Sequence, residues 1–304
     1  MNGVVRDFDL EAFLAEQGLA VERALERALV GLLPELPAGL REPLRHGVMS
    51  GGKRLRPILC VAAHEACGGE ASEGVYDLAV SLELIHCYSL MHDDLPCMDD
   101  AGLRRGTPTP HTLFGEAETA RVAFALIPAA SSQAWEACMC LGCDETVARR
   151  IVLELNRAVG SGGMVGGQVL DLFGEDQALT AEELDGLHRR KTGALLTCSL
   201  VVGALAAGAE EHTLGALERY AHAIGLAFQV TDDLLDATAS AGDLGKHPSD
   251  AALGKSTYVS LYGLEEAGRR AGEFVAEARQ ALVEAEVHAP ALRALASYVV
   301  SRKR

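Results

Sequence analysis

Aromatic side chains and strand-forming patterns are both scarce in this sequence. Phe, Trp and Tyr together make up 5% of the 304 residues, whereas hydrophobic residues reach 49%, with Ala and Leu prominent among them. That hydrophobic content supports a sizeable core and argues against a disordered chain. Ala and Leu are strong helix formers, and small residues let helices pack closely. The composition therefore predicts a helical protein.

Positive charge is also scarce. The formal net charge is −16, which argues against a general binder of nucleic acid or of anionic membranes. The cations that are present are clustered: 13 of the 27 Lys and Arg residues fall into five groups, at 53–56, 104–105, 189–191, 246–255 and 302–304. An acidic protein that gathers its cations in this way is expected to hold a small anion.

Eight cysteines are too few for a disulfide scaffold of this length. Cys138, Cys140 and Cys143 have the spacing of half a zinc site, but the second half is missing. We therefore favour free thiols in a cytoplasmic protein over a zinc site. The N-terminal stretch has early acids and no long apolar core, so we expect no signal peptide.

Long apolar runs are nearly absent as well. The uncharged segment 192–209 approaches transmembrane length. It is rich in Gly, Ala, Thr and Ser and directly follows three cationic residues. This composition favours a buried helix of a bundle over a membrane span, and we expect no integral membrane protein.

What the chain does have is helical periodicity from end to end. Segments 10–29, 75–95 and 217–239 place apolar residues at helical spacing, and Thr180 with Glu183 forms a capping box. Gly and Pro collect in the loops between, and no Ser/Pro-rich linker divides the chain. We predict one all-α domain over residues 1–304, a multi-helix bundle around a central apolar cavity.

Two aspartate clusters each follow an apolar helical stretch, "LMHDDLPCMDD" at 90–100 and "FQVTDDLLDATA" at 228–239. Asp232 and Asp236 are four apart, so they share one helix face despite their like charge. Mg²⁺ is typically held by one or two carboxylates together with substrate phosphates. One such cluster could equally be a solvated helix end. A pair of them favours a pocket that binds a metal ion and a diphosphate at its opening and has an apolar interior.

The first cluster contains Pro96 between Asp93 and Asp99, which should break the regular helix. A local bulge there would bring Asp99 back towards Asp93.

The segment "GGKRLRP" at 51–57 joins a Gly-rich loop to a helix expected to begin at Pro57. Anions bind at helix N-termini, and Lys53 and Arg56 can add charge-assisted hydrogen bonds. The spacing is not that of a Walker A loop. A solvated basic turn is the alternative, but Arg104 and Arg105 lie close to the first aspartate cluster. We therefore expect one diphosphate bound by cations and a second bound through Mg²⁺.

In their order and spacing these motifs resemble those of trans-isoprenyl diphosphate synthases (polyprenyl synthetases), specifically the bacterial farnesyl and geranylgeranyl diphosphate synthases. The resemblance also covers "GGQVLDL", "HRRKTGALL", "GKSTY" and "YVVSRKR". It implies the isoprenoid synthase fold, usually homodimeric, and Mg²⁺-dependent condensation of isopentenyl diphosphate with an allylic diphosphate. Up to three Mg²⁺ ions are implied when substrate is bound.

The resemblance also implies residue roles. The implied Mg²⁺ ligands are Asp93, Asp99 and Asp232, supported by Asp94, Asp233 and Asp236. The implied isopentenyl diphosphate site comprises Lys53, Arg56, His86 and Arg105. The implied allylic diphosphate site comprises Arg104, Lys191, Thr192, Gln229, Lys246 and Lys255. Gln168 and Asp171 would line or support the site, and residues 302–304 would close it.

The implied chemistry needs no protein nucleophile. Ionisation of the allylic diphosphate develops negative charge on the leaving group, which metal ions and cations stabilise. The carbocation must be kept from water until the isopentenyl double bond attacks it. The released diphosphate then serves as the base for the final proton.

Product length depends on the side chains just before the first cluster. Tyr88 and Ser89 lie about 6–8 Å below Asp93 along a helix. A bulky Tyr88 would close the pocket after two additions, and by resemblance the Leu95-Pro96 insertion also goes with farnesyl products. The alternatives are that Tyr88 is ordinary core, or that the product is geranylgeranyl diphosphate.

The chain departs from the family pattern after "FGEA". The family usually has a Gly-Asp pair within "AGDAL", where this chain has Ala123 and Phe124. This change leaves product length open, and it is the one feature that favours a catalytically silent prenyl-diphosphate-binding partner subunit. A terpene cyclase would share the aspartate-lined pocket but would not need "GGKRLRP".

Overall fold

The computed structural model describes residues 8–175, 177–238 and 255–302. These ranges are almost entirely helical, which confirms the predicted all-α class. The helices are α1 Leu10–Leu32, α2 Ala38–Val48, α3 Leu55–Ala66, α4 Glu73–Asp93, α5 Pro110–Phe114, α6 Glu116–Cys140, α7 Glu145–Val159, α8 Met164–Phe173, α9 Ala181–His188, α10 Ala194–Ala206, α11 Glu211–Thr238, α12 Tyr258–Tyr262, α13 Leu264–Glu284 and α14 Pro290–Ser301. Two short strands, β1 Leu103–Arg104 and β2 Thr107–Pro108, form an antiparallel hairpin.

Local sequence signals set several helix ends. The predicted capping box opens α9, with the Thr180 side chain and Glu183 satisfying each other's backbone amides. The start of α3 differs from the prediction, because the helix begins at Leu55 and not at Pro57. Arg54 adopts a left-handed conformation with φ of 48°, and this turn allows the helix to start two residues early.

The uncharged segment forms α10, a buried helix in the middle of the protein. It packs on α3 so closely that a Cβ at Gly203 would overlap the Cys60 carbonyl. Small residues are therefore required where the two backbones meet. Across the described ranges, none of the helices combines the length and the apolar character needed to span a membrane.

The two aspartate-bearing helices flank the site. Helix α4 packs along α6, and α11 packs along α13. Most of α4 is buried, and its last residue is Asp93. Because α4 and α11 both carry their aspartates in their last two turns or just beyond, the fold brings the two clusters to the same opening.

Candidate functional site

A cavity of about 900 Å³ opens between the aspartate-bearing parts of α4 and α11. Its lining combines charged side chains with apolar ones such as Leu172, Leu196 and Phe228, so it is less apolar than expected from the sequence. Most of the predicted site residues line it, namely Lys53, Arg56, His86, Tyr88, Ser89, Asp93, Asp99, Arg104, Arg105, Gln168, Lys191, Thr192, Gln229, Asp232 and Asp236. Lys246, Lys303 and Arg304 lie outside the described residues.

The chain turns back on itself after Asp93, as the proline between the aspartates predicted. The Asp99 amide donates a hydrogen bond to the Asp93 carbonyl at 2.9 Å, and the Met98 amide donates to Leu95 at 2.9 Å. Both Asp93 and Asp99 line the cavity as a result. The predicted bulge is confirmed.

The second aspartate of each cluster, Asp94 or Asp233, has a different environment from the first. Asp94 is 1% exposed and pairs with Arg104, whose Nε lies 2.7 Å and Nη2 2.6 Å from Asp94 Oδ1. Asp233 is buried and accepts a hydrogen bond from the Tyr258 amide at 2.6 Å. Asp94 therefore orients a cavity arginine, and Asp233 anchors the start of α12.

Asp93 lies in an environment that favours a cation. Burial raises the pKa of its carboxyl to about 6, and the nearby Asp99 adds to this while Lys191 opposes it. Among the described residues, no three His, Cys, Asp or Glu side chains form a metal-binding group by themselves. A cavity that offers only one or two carboxylates at any point suits Mg²⁺, because this ion completes its coordination with water and substrate phosphates. The donor set therefore fits that metal.

The cavity lining also includes buried polar side chains, one of them a cation, each with a nitrogen that lacks a hydrogen-bond partner in the described part of the chain. Arg56 Nε, His86 Nδ1 and Gln168 Nε2 are buried without a hydrogen-bond partner among the described residues. Burial lowers the pKa of His86 well below its usual value, and Arg56 and Arg105 lower it further. Burial and Arg105 also lower the pKa of Arg56 to about 10, against the opposing effect of Glu83. Buried donors left unpaired are costly, so this part of the lining suits an anionic ligand.

The Gly-rich loop positions the Arg105 side chain. Gly52 has φ of 123°, and a Cβ there would overlap the Arg105 guanidinium. Arg105 also donates a hydrogen bond to the Gly51 carbonyl. Gly52 of "GGKRLRP" therefore allows the Arg105 guanidinium to approach the loop backbone closely, because it has no side chain.

A π-helical turn at Arg189–Gly193 presents the third group of cations. Lys191 and Thr192 line the cavity from this turn, which joins α9 to α10. Such π-turns occur frequently at functional sites. Lys191 Nζ lies 2.5 Å from Asp171 Oδ2. Lys255 binds the same oxygen at 3.1 Å, so it supports the site from outside the cavity lining.

The C-terminal helix reaches the second aspartate cluster. Arg302 Nη2 lies 2.6 Å from Asp232 Oδ1, and the guanidinium stacks 3.8 Å above the Phe228 ring. Lys53 lies 5.5 Å from the centre of the Tyr298 ring. The end of α14 therefore forms part of the cavity wall.

Sequence reasoning missed one charged pair in the cavity wall, Arg54 with Glu83. Arg54 Nη1 lies 2.7 Å from Glu83 Oε1, and the two side chains are 1% and 2% exposed. Arg54 also contacts Glu22 at 2.7 Å and the Val48 carbonyl at 3.1 Å. Burial alone would lower the Arg54 pKa, but the two glutamates outweigh it and raise the pKa. The available signal was one glutamate in the otherwise uncharged stretch from Leu78 to Met91.

Comparisons with known proteins agree with this geometry. A family model described as polyprenyl synthetase matches residues 37–290. The chain is 41% identical over 301 residues to a farnesyl diphosphate synthase of Escherichia coli (strain K12), covering 97% of this chain and 98% of that one. It is 40% identical over 298 residues to a geranylgeranyl pyrophosphate synthase, chloroplastic, of Catharanthus roseus, covering 97% and 82%. The crystal structure of an FPP/GFPP synthase from Zymomonas mobilis superposes with a TM-score of 0.83 at 34% identity, covering 96% and 99%.

Proposed function

This chain belongs to the polyprenyl synthetase family of prenyltransferases, and we propose that it makes farnesyl diphosphate from isopentenyl diphosphate with dimethylallyl and then geranyl diphosphate. One observation supports this most: a single cavity is lined both by aspartates and by unpaired buried donors. Two diphosphates that bind by different means would satisfy both groups. The proposal that the product is farnesyl diphosphate, and not a longer prenyl diphosphate, rests on the bulk of Tyr88.

The donor-rich part of the cavity is proposed to bind isopentenyl diphosphate directly. Lys53, Arg56 and Arg105 supply positive charge, and His86 supplies a hydrogen-bond donor. Because its pKa is low, the His86 imidazole is neutral near pH 7 and donates one N–H without adding charge. Binding would give Arg56 Nε and His86 Nδ1 the partners that they lack.

The aspartate end is proposed to bind the allylic diphosphate. Asp93, Asp99 and Asp232 would hold Mg²⁺, which when bound neutralises the charge that develops on the leaving diphosphate. Arg104, Lys191, Thr192 and Gln229 add charge-assisted and neutral hydrogen bonds to the same phosphates. Asp94 orients Arg104, and Asp171 orients Lys191.

The apolar wall protects the intermediate. Val165, Val169, Leu196 and Phe228 line the cavity, and when packed against a bound prenyl tail they would exclude water from the carbocation that ionisation leaves behind. The isopentenyl double bond attacks this cation, and the released diphosphate accepts the proton. The protein therefore supplies charge, orients the substrates and excludes water, and it provides no nucleophile.

Condensation is the direct test of the activity. The pure protein is expected to release inorganic diphosphate with isopentenyl and dimethylallyl diphosphate together, and not with either one alone. EDTA should stop the release and excess Mg²⁺ should restore it. Absence of any release with both substrates and Mg²⁺ would contradict the proposal and would favour a silent binding subunit.

Replacing Gly167 with alanine is expected to lower condensation activity by about a hundredfold. A Cβ at Gly167 would overlap the backbone nitrogen and Cα of Lys191, so the π-turn must shift. Displacing a positioning group by about 1 Å costs on that order. Gly162→Ala is the matched control, because a Cβ there meets nothing within 4 Å. Equal steady-state rates for the two variants would show that Lys191 is not held by this contact.

Replacing Tyr88 with alanine is expected to lengthen the product beyond fifteen carbons. Tyr88 lines the cavity, and it lies on α4 five residues before Asp93, with its ring centre 5.9 Å from that of His92. Tyr76→Ala makes the same change earlier on α4, outside the cavity lining, and should leave product length unchanged. Chromatography of the dephosphorylated products gives the answer. Unchanged length in Tyr88→Ala would place the pocket floor on another helix.

Two further features remain proposals. The family resemblance favours a homodimer, which light scattering of the pure protein can test. The eight cysteines are all free, which agrees with the expected cytoplasmic location, and that location stays a prediction.

A further inference from the structure

Three rings form a triangle one turn below the aspartate end of the cavity. Tyr88 and His92 are four residues apart on α4, so they lie on one face, with ring centres 5.9 Å apart. Phe124 of α6 completes the triangle, with its ring centre 6.4 Å from each of the other two. These separations lie within the range of favourable aromatic contacts.

The three rings differ in what they face. Tyr88 and His92 line the cavity, and Tyr88 is only 6% exposed. Phe124 lies outside the cavity lining and is 58% exposed. Its neighbour Ala123 is fully buried, which allows α6 to approach α4 closely at this point. Phe124 therefore contacts the Tyr88 ring from outside the cavity.

This contact restricts where the Tyr88 ring can go. A tyrosine on a helix has two common χ1 positions, so its ring leaves a cavity wall only if another position is open. The rings of His92 and Phe124 occupy two sides of it. Alanine or a short carboxylate at position 124 would remove one of these neighbours.

We propose that Phe124 is a positioning residue for product length, which holds the Tyr88 ring across the end of the prenyl-tail pocket. The inference rests on the proposed function, since it concerns how long the product of that same site becomes. Phe124 acts through Tyr88 and has no contact with the substrate. The change from the family's Gly-Asp pair to Ala123 and Phe124 therefore narrows the product range.

The test is the product distribution of Phe124→Ala. Loss of one aromatic contact corresponds to about a two- to tenfold change in an equilibrium, so the ratio of twenty- to fifteen-carbon product should rise by about that factor. Phe124→Tyr keeps the ring and should keep the wild-type ratio. Phe124→Leu removes the ring and its aromatic contacts while it keeps an apolar side chain, so it should raise the ratio in the same direction, and it provides a second variant if the alanine protein is poorly folded. Met139→Ala removes an exposed apolar side chain elsewhere on α6 and should change nothing.

A double variant separates positioning from direct contact. If Phe124 acts through Tyr88, Tyr88→Ala with Phe124→Ala will give the same products as Tyr88→Ala alone. Products longer than those of Tyr88→Ala would show that Phe124 forms part of the floor itself, which contradicts the positioning role. An unchanged ratio in both Phe124→Ala and Phe124→Leu would also overturn the inference. Those outcomes leave the proposed function intact, whereas a wild-type protein without condensation activity would remove the basis of both.

Discussion

Replacement of Asp93 by asparagine is expected to lower the turnover rate of condensation by about 10²- to 10³-fold. Asparagine keeps the size of the side chain but removes its charge, so it cannot help to hold a cation at the leaving diphosphate. Asp93 lines the cavity and is held there by the turn that Asp99 closes. Steady-state kinetics with saturating Mg²⁺ and both substrates would measure the loss.

Asp100→Asn provides the matched control for this prediction. Asp100 lies in the same turn but outside the cavity lining, with φ of 46°, a conformation that asparagine tolerates well. Its activity should stay near that of the wild type. If the two asparagine variants lose equal activity, the turn is needed only for its structure, and the proposed role of Asp93 is wrong.

Replacement of Arg54 by methionine is expected to lower the free energy of unfolding by about 3–5 kcal/mol. The Arg54 and Glu83 side chains are almost completely buried, and Arg54 also binds Glu22 and the Val48 carbonyl. Removal of the arginine leaves the Glu83 charge buried without its compensating partner. Equilibrium unfolding in urea, read by circular dichroism, measures the change.

The surface pair of Arg27 with Asp77 is the control for this stability prediction. Arg27 Nη2 lies 2.6 Å from Asp77 Oδ1, but the Arg27 and Asp77 side chains are 39% and 31% exposed. Arg27→Met should cost about 0–1 kcal/mol, because water screens such pairs. A loss from Arg54→Met no larger than this would contradict the prediction that Arg54 compensates a buried Glu83 charge.

Local signals predicted much of this fold. The spacing of apolar residues predicted α4 and α11, the capping box predicted the start of α9, and Pro96 predicted the turn between the aspartates. Each of these signals depends on residues within a few positions of one another. The sequence also predicted that the two aspartate clusters share one site, because each of them follows a long apolar helix.

Contacts between distant parts of the chain could not be predicted in this way. Asp93 and Asp94 are adjacent and chemically identical, yet one lines the cavity and the other is buried against Arg104. Neighbouring residues at the end of a helix point about 100° apart, and only the packing of the hairpin decides which of them meets the arginine. The π-turn at Lys191 likewise depends on its contact with Gly167, which lies on another helix.

The central claim is that one cavity joins an isopentenyl to an allylic diphosphate and stops at fifteen carbons. Its most direct test is to incubate the pure wild-type protein with Mg²⁺, dimethylallyl diphosphate and labelled isopentenyl diphosphate, and then to size the dephosphorylated products. The account predicts farnesol as the main product, with little material of twenty carbons. A dominant twenty-carbon product would contradict the Tyr88 floor, and the absence of any labelled prenyl alcohol would contradict the condensation itself.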